Sequence, residues 1–227
     1  MSLSRTLYSI YKVSLARLVR WMFFHDLIAH TNNFGSTRWM GQPVWQNLFD
    51  LWTIQETLFE IKPDLLIECG TNRGGSSLYF AHLFDLMNHG RIVTIDVKRL
   101  HSLTHPRITY LLGSSTDPDI VERVRQTAAG IRGSILVILD SDHSQAHVRR
   151  ELDCYAPFVT PGSFCLVQDS VIDVLWMLRG DRPGPLPAIK DFLKTHPEFE
   201  IDGEREGRYL ITHHPMGWLR RKRDGSG

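Results

Sequence analysis

Five short runs, "DLLIEC" (64–69), "RIVTID" (91–96), "RITYLL" (107–112), "SILVILD" (134–140) and "SFCLVQD" (163–169), constrain this chain more than any other feature. Most are continuously apolar rather than alternating, so strands made from them must be covered on both faces. That is the condition of parallel strands between two helical layers. The intervening segments supply those layers, with helical spacing in "PVWQNLFDLWTIQETLFEI", "SSLYFAHLFDLMNHG", "DPDIVERVRQTAAG" and "SQAHVRRELDCYAPFV". The expected fold is an open, doubly wound α/β sheet, mostly parallel, with helices on both faces. After residue 170 the rhythm loosens into a Gly/Pro-rich loop, a helix over "AIKDFLKTHPEF", and a final strand and its return in "GRYLITHHPMGWL".

With 227 residues, 42% of them hydrophobic, the chain can bury one substantial core. We divide it into an N-terminal helical arm (1–38), a single α/β domain (39–219) and a basic tail (220–227). A net charge of +1 sets up no strong field towards nucleic acid, and Arg220 to Arg223 read as a solvated tail. Cys69, Cys154 and Cys165 are far apart, which fits reduced structural thiols in a cytoplasmic protein. In the arm, Arg5, Lys12, Arg17 and Arg20 interrupt every apolar stretch, so it is expected to be neither a signal peptide nor a membrane span. Leu7, Ile10, Tyr11, Leu15, Leu18 and Met22 have roughly helical spacing. Packing on its own domain or a second subunit is the first reading, attachment to a membrane surface the second; a homo-oligomer is expected.

Ligands of open α/β sheets bind at the carboxyl ends of the strands. Here those ends carry Glu68, Asp96, Ser114 and Ser115, Asp140, and Gln168 with Asp169. One acid there can be a helix cap, but four along one edge call for a cation, ribose hydroxyls or a cationic cofactor. The turn "ECGTNRGGSS" contains Gly70, Gly74 and Gly75 without the G-x-G-x-x-G spacing of a dinucleotide site. With Asp96 ending the next strand, it suits an adenosine whose ribose diol bonds a carboxylate. S-adenosylmethionine, a phosphate-free adenosine carrying a sulfonium charge, meets that description.

From about Trp39 to Leu219 the sequence resembles the cephalosporin hydroxylase-like methyltransferases, which include bacterial rhamnosyl O-methyltransferases. The segments that carry the resemblance are "LFDLWTIQETLFEIKPDLLIECGTNRGGSSLYFA", "GSSTDPDIVERV", "ILDSDHSQAHV", "PFVTPGSFCLVQDS", "PGPLPAIKDFL" and "YLITHHPMGWLRR". The resemblance implies a class I methyltransferase (Rossmann-like) fold acting on sugar or natural-product hydroxyls, often with a divalent cation such as Mg2+. It assigns Glu68, Gly70, Gly74 and Ser76 to the cofactor turn, Asp96 to the ribose, and Ser114 and Ser115 to the adenine side. It also makes Asp140 and Asp169 metal ligands and puts His143 at the reaction centre, where catechol O-methyltransferases hold a lysine base. Where relatives carry Glu-Asp, this chain has Gln168-Asp169, so its hold on a hard cation should be weaker. The loop around Val174, Leu175, Trp176 and Met177 is apolar where relatives often carry Asn-Gly-His-Pro, which implies a more hydrophobic acceptor.

The leading expectation is therefore an O-methyltransferase with His143 as general base and possible help from Mg2+ held by Asp140, Gln168 and Asp169. A repurposed, non-catalytic member and an oxidative hydroxylase are the alternatives. Asp142 reads as a helix cap, with a third metal ligand or an orienter of His143 as the alternatives, His147 as a surface residue one helical turn further on, and Trp176, His213, His214 and Trp218 either line the acceptor side or pack at a subunit contact.

Overall fold

A computed structural model of the chain describes residue 11 and residues 15–223. Helix α1 (Ala16–His30) leads into a small ribbon of β1 (Arg38–Trp39) and β2 (Gln42–Pro43), then α2 (Leu48–Ile61) and β3 (Leu65–Cys69). There follow α3 (Gly75–Met87), β4 (Arg91–Asp96), β5 (Ile108–Leu112), α4 (Pro118–Ala129), β6 (Ile135–Leu139), α5 (Gln145–Tyr155) and β7 (Phe164–Val167). The chain closes with α6 (Pro185–Thr195), β8 (Phe199–Ile201), the one-turn α7 (Gly203–Gly207) and β9 (Trp218–Arg221).

Seven strands form one sheet in the order β5-β4-β3-β6-β7-β9-β8. The first five are parallel, and β9 runs antiparallel to both of its neighbours. Alternate residues of the apolar runs feed two cores. Leu65, Ile67, Val137 and Leu139 pack under α4, α5 and α6, while Leu66, Ile92, Ile138 and Leu166 pack under α2 and α3. Continuous hydrophobicity was thus the right signal for a sheet buried on both faces.

The differences from expectation lie at the ends. Pro43 sits in β2 rather than opening a helix; α2 starts later, where the Asn47 side chain accepts from the Phe49 N–H. Along α2 the inward residues are Leu51, Ile54 and Leu58, whereas Leu48, Trp52 and Phe59 are exposed. The last strand is not in "GRYLITHH": that stretch is irregular, and β9 begins at Trp218. Arg220 and Arg221 accordingly lie within β9 instead of a tail, Arg220 bonding Glu200 on β8 and Arg221 the Pro157 and Val159 carbonyls. Residues 224–227 and most of 1–14, including Leu7 and Ile10, fall outside the described residues. Helix α1 packs Phe24 and Ile28 against Phe34, Val171 and Leu175, but Leu15, Leu18, Trp21, Met22 and Phe23 are exposed. Among the described residues no helix is long and apolar enough to cross a membrane, and Cys69, Cys154 and Cys165 are free thiols.

Candidate active site

The carboxyl ends of β3 to β7 open into a cavity of about 940 Å³, the size of a small-molecule cofactor and its co-substrate. Gly70, Asp96, Ser114, Ser115, Asp140, His143 and Asp169 all line it. The sheet therefore collects seven of the expected site residues on one surface.

At the cofactor end, Gly70 has φ +105°, and a Cβ on it would lie 1.9 Å from the Asp140 carbonyl oxygen. Only glycine allows the β3 turn to pass so close to the β6 turn. Asp96 accepts from the backbone N–H of Asn72 (2.7 Å) through one oxygen and of Lys98 (2.9 Å) through the other. Each oxygen keeps a lone pair free for a ribose hydroxyl. Ser115 is buried; its hydroxyl meets His147 Nε2 at 3.0 Å, and its carbonyl accepts from the Tyr155 hydroxyl. His147 is thus a cavity residue, tied also to the buried Glu151 at 3.4 Å, whose partnership raises the imidazole pKa.

Glu68, Gly74 and Ser76 stand behind this surface. Glu68 is 1% exposed, and its carboxylate accepts from the Ser76, Ser77 and Thr94 hydroxyls. Burial raises its pKa against the pull of those donors. Its work is to pin the start of α3 to β3 and β4. Gly74, at φ +78°, caps that helix.

At the other end, Asp140, His143 and Asp169 bring ligand atoms within 4.8 Å of one another. His143 Nε2 lies 3.3 Å from one Asp169 oxygen, and His213 Nδ1 lies 3.5 Å from the other. Burial opposes ionisation of Asp169, but His143, His213 and His214 outweigh it and hold its pKa well below the usual range. Asp140 takes the opposite direction: burial, then repulsion by Asp169 and Glu68, push it well up. The two neighbouring acids thus shift in opposite directions. Asp169 occupies left-handed backbone, φ +55°, its N–H donating to His214 Nδ1 at 3.1 Å. Asp142 is not the cap of α5, whose N-cap is Ser144; it accepts from the Ser144 N–H in a turn just before the helix, and its hydrogen bonds with the Ser144 side chain and backbone lower its pKa.

Two contributors, Gln46 and Asn33, have no mark in the sequence. Gln46, just before α2, donates to Asp140 Oδ2 (2.8 Å) and pairs with Gln168. Gln168 itself is 2% exposed, one step behind Asp140. Asn33 lines the cavity. His213 joins the reaction centre. It is fixed by Asp50 of α2, which accepts from its N–H (2.7 Å) and from the Thr212 hydroxyl (2.6 Å). No local pattern marks Gln46 or Asn33, because their roles arise from contacts spanning most of the chain. Trp218 is core, packed on Phe164.

Two carboxylates and an imidazole nitrogen converge, which suits a divalent ion, but Gln168 supplies an amide where a third carboxylate would strengthen a hard one.

Residues 32–222 match the family model described as rhamnosyl O-methyltransferase/CmcI. A rhamnosyl O-methyltransferase of Mycobacterium bovis is 36% identical over 191 residues, covering 81% of this chain and 77% of the relative. Among solved structures, CmcI without ligand superposes with TM-score 0.64 at 19% identity, covering 84% of this chain and 78% of that one. CmcI with Mg and SAM gives 0.63 at 18%, with the same coverage. The sheet order and these likenesses identify the fold as that of class I methyltransferases.

Proposed function

The chain belongs to the rhamnosyl O-methyltransferase/CmcI family and is an S-adenosylmethionine-dependent O-methyltransferase, and from that premise we propose that it methylates a sugar hydroxyl, with His143 as general base. The observation that carries this reading is the placement of His143 and the Asp140–Asp169 pair on the same cavity as Asp96 and the Gly70 turn. The names of the relatives support a sugar acceptor. S-adenosylmethionine, when bound, supplies an electrophilic methyl group on sulfonium.

The residues of the chain do the rest. Asp96 and the Ser114–Ser115 loop hold the adenosine portion. Asp140 and Asp169 would hold a divalent cation, which lowers the pKa of an acceptor hydroxyl. His143, 30% exposed and oriented by Asp169, takes the hydroxyl proton as the oxygen becomes nucleophilic. Alignment of that oxygen with the methyl group contributes as much as the base. The exposed apolar faces of α1 and α2 support a homo-oligomer that covers them.

The test is methyl transfer from labelled S-adenosylmethionine to a rhamnoside. His143→Gln should lower kcat by about 10²- to 10⁴-fold and leave S-adenosylhomocysteine affinity, measured by calorimetry, unchanged. A variant with full kcat would remove His143 from the base role.

A further inference from the structure

Trp45 is an anomaly. It is 61% exposed, yet its indole N–H donates to the Asn33 carbonyl at 2.8 Å, which ties the ring to the segment before β1. It lines the same cavity as His143 and Asp169, and the next residue is Gln46, which bonds Asp140. Its neighbours locate it at the acceptor end. Asn33 adjoins Phe34, whose ring lies 5.5 Å from that of His213, and His213 faces Asp169. Just beneath that surface two polar atoms, Asn33 Oδ1 and His213 Nε2, are buried without hydrogen-bond partners. Val171, Ile172 and Leu178 add an apolar side to the cavity.

A flat aromatic face, unanswered hydroxyl-bonding atoms and a limited apolar surface describe one ligand chemistry. A sugar ring presents polarised C–H bonds on one face, which the negative face of an indole attracts, and hydroxyls around its edge. Buried polar atoms without partners cost free energy that a ligand hydroxyl recovers. We propose that Trp45, Asn33 and His213 form the acceptor subsite: the indole stacks on the C–H face of a pyranose ring, and Asn33 and His213 bond its hydroxyls after small side-chain rotations. The ring is thereby presented with one hydroxyl towards His143. This assignment rests on the sugar O-methyltransferase reading and adds to it the residues that select the sugar.

The experiment uses the full chain saturated with S-adenosylhomocysteine, with methyl α-L-rhamnopyranoside as the probe. Binding is followed by saturation-transfer NMR and calorimetry for wild type, Trp45→Phe, Trp45→Ala and Asn33→Ala. Loss of stacking should weaken rhamnoside binding roughly tenfold in Trp45→Ala. Trp45→Phe should recover most of it, Asn33→Ala should also weaken it, and S-adenosylhomocysteine affinity should stay the same in all four. In turnover the Trp45→Ala loss should fall on KM, with kcat nearly unchanged. The proposal is overturned if Trp45→Ala binds the rhamnoside like wild type. It is equally overturned if wild type ignores the rhamnoside while binding S-adenosylhomocysteine, or if Trp45→Ala changes only the oligomeric state. Failure of every protein to bind S-adenosylhomocysteine would instead sink the methyltransferase reading beneath it.

Discussion

Gln168→Glu tests the electrostatics of the reaction centre most directly. The Gln168 amide lies 3.3 Å from the Asp140 carboxylate when its nitrogen faces that way. A carboxylate at that distance repels Asp140 by about 5 kcal/mol at an effective dielectric constant of about 20. Without a cation, the three acids respond by keeping a proton. A divalent ion relieves the repulsion. Relief of only half, about 2.5 kcal/mol, raises its affinity roughly 60-fold. The assay is Mn2+ binding by EPR and Mg2+ binding by calorimetry at neutral pH, alongside melting in chelator. Gln168→Glu should bind both ions more tightly, melt lower in chelator and recover when Mg2+ is added. Unchanged affinity for both ions would refute the argument, because it would mean that the charge at this position does not reach the pair Asp140 and Asp169.

Cation affinity in the wild type should rise with pH. Burial and Asp169 keep the Asp140 proton on to higher pH than usual, so an entering ion must displace it, and calorimetry in buffers of different ionisation enthalpy should detect proton release that fades as pH rises through the Asp140 pKa. Asp96→Ala removes the acceptor for a ribose diol and for the Asn72 and Lys98 N–H groups. It should weaken S-adenosylhomocysteine binding about 10- to 100-fold, a loss of about 1.4–3 kcal/mol. Gly70→Ala drives a Cβ into the Asp140 carbonyl oxygen; it should melt markedly lower than wild type in a thermal scan and bind no S-adenosylhomocysteine.

The parts of the molecule that announce themselves in the sequence are those whose physics is local. "RIVTID" is β4 to the residue, and Asp117 caps α4 by bonding the Asp119 N–H. The strand-end acids were legible because a parallel sheet delivers every strand end to one edge. Glu68 shows the limit of that rule: it ends a strand like Asp96, but the hydroxyls of Ser76, Ser77 and Thr94 turn it into the sheet's interior support. Its alternating partner Cys69 packs on the opposite face. His147 was misread because helical spacing says where a residue faces only after the helix axis is known; α5 tilts it towards Ser115. The same holds for α2, which is apolar on two sides: periodicity does not say which side meets the sheet, and Leu48, Trp52 and Phe59 face outward. The C-terminal strand was misplaced because β9 owes its position to β7 and β8 rather than to its own composition.

The two reaches that complete the site also set an order in time. Gln46 meets Asp140 and Gln168 across 94 and 122 residues, and Asp50 meets His213 across 163. Contacts so distant along the chain repay the entropy of closing their loops only after the sheet between them exists. A ribosome releases "THHP" after every parallel strand has emerged, so the nascent protein can own a nearly finished sheet and still have no acceptor side. The capacity to hold an adenosine should thus mature before the capacity to use it, which waits until α2 has met the segment before β9.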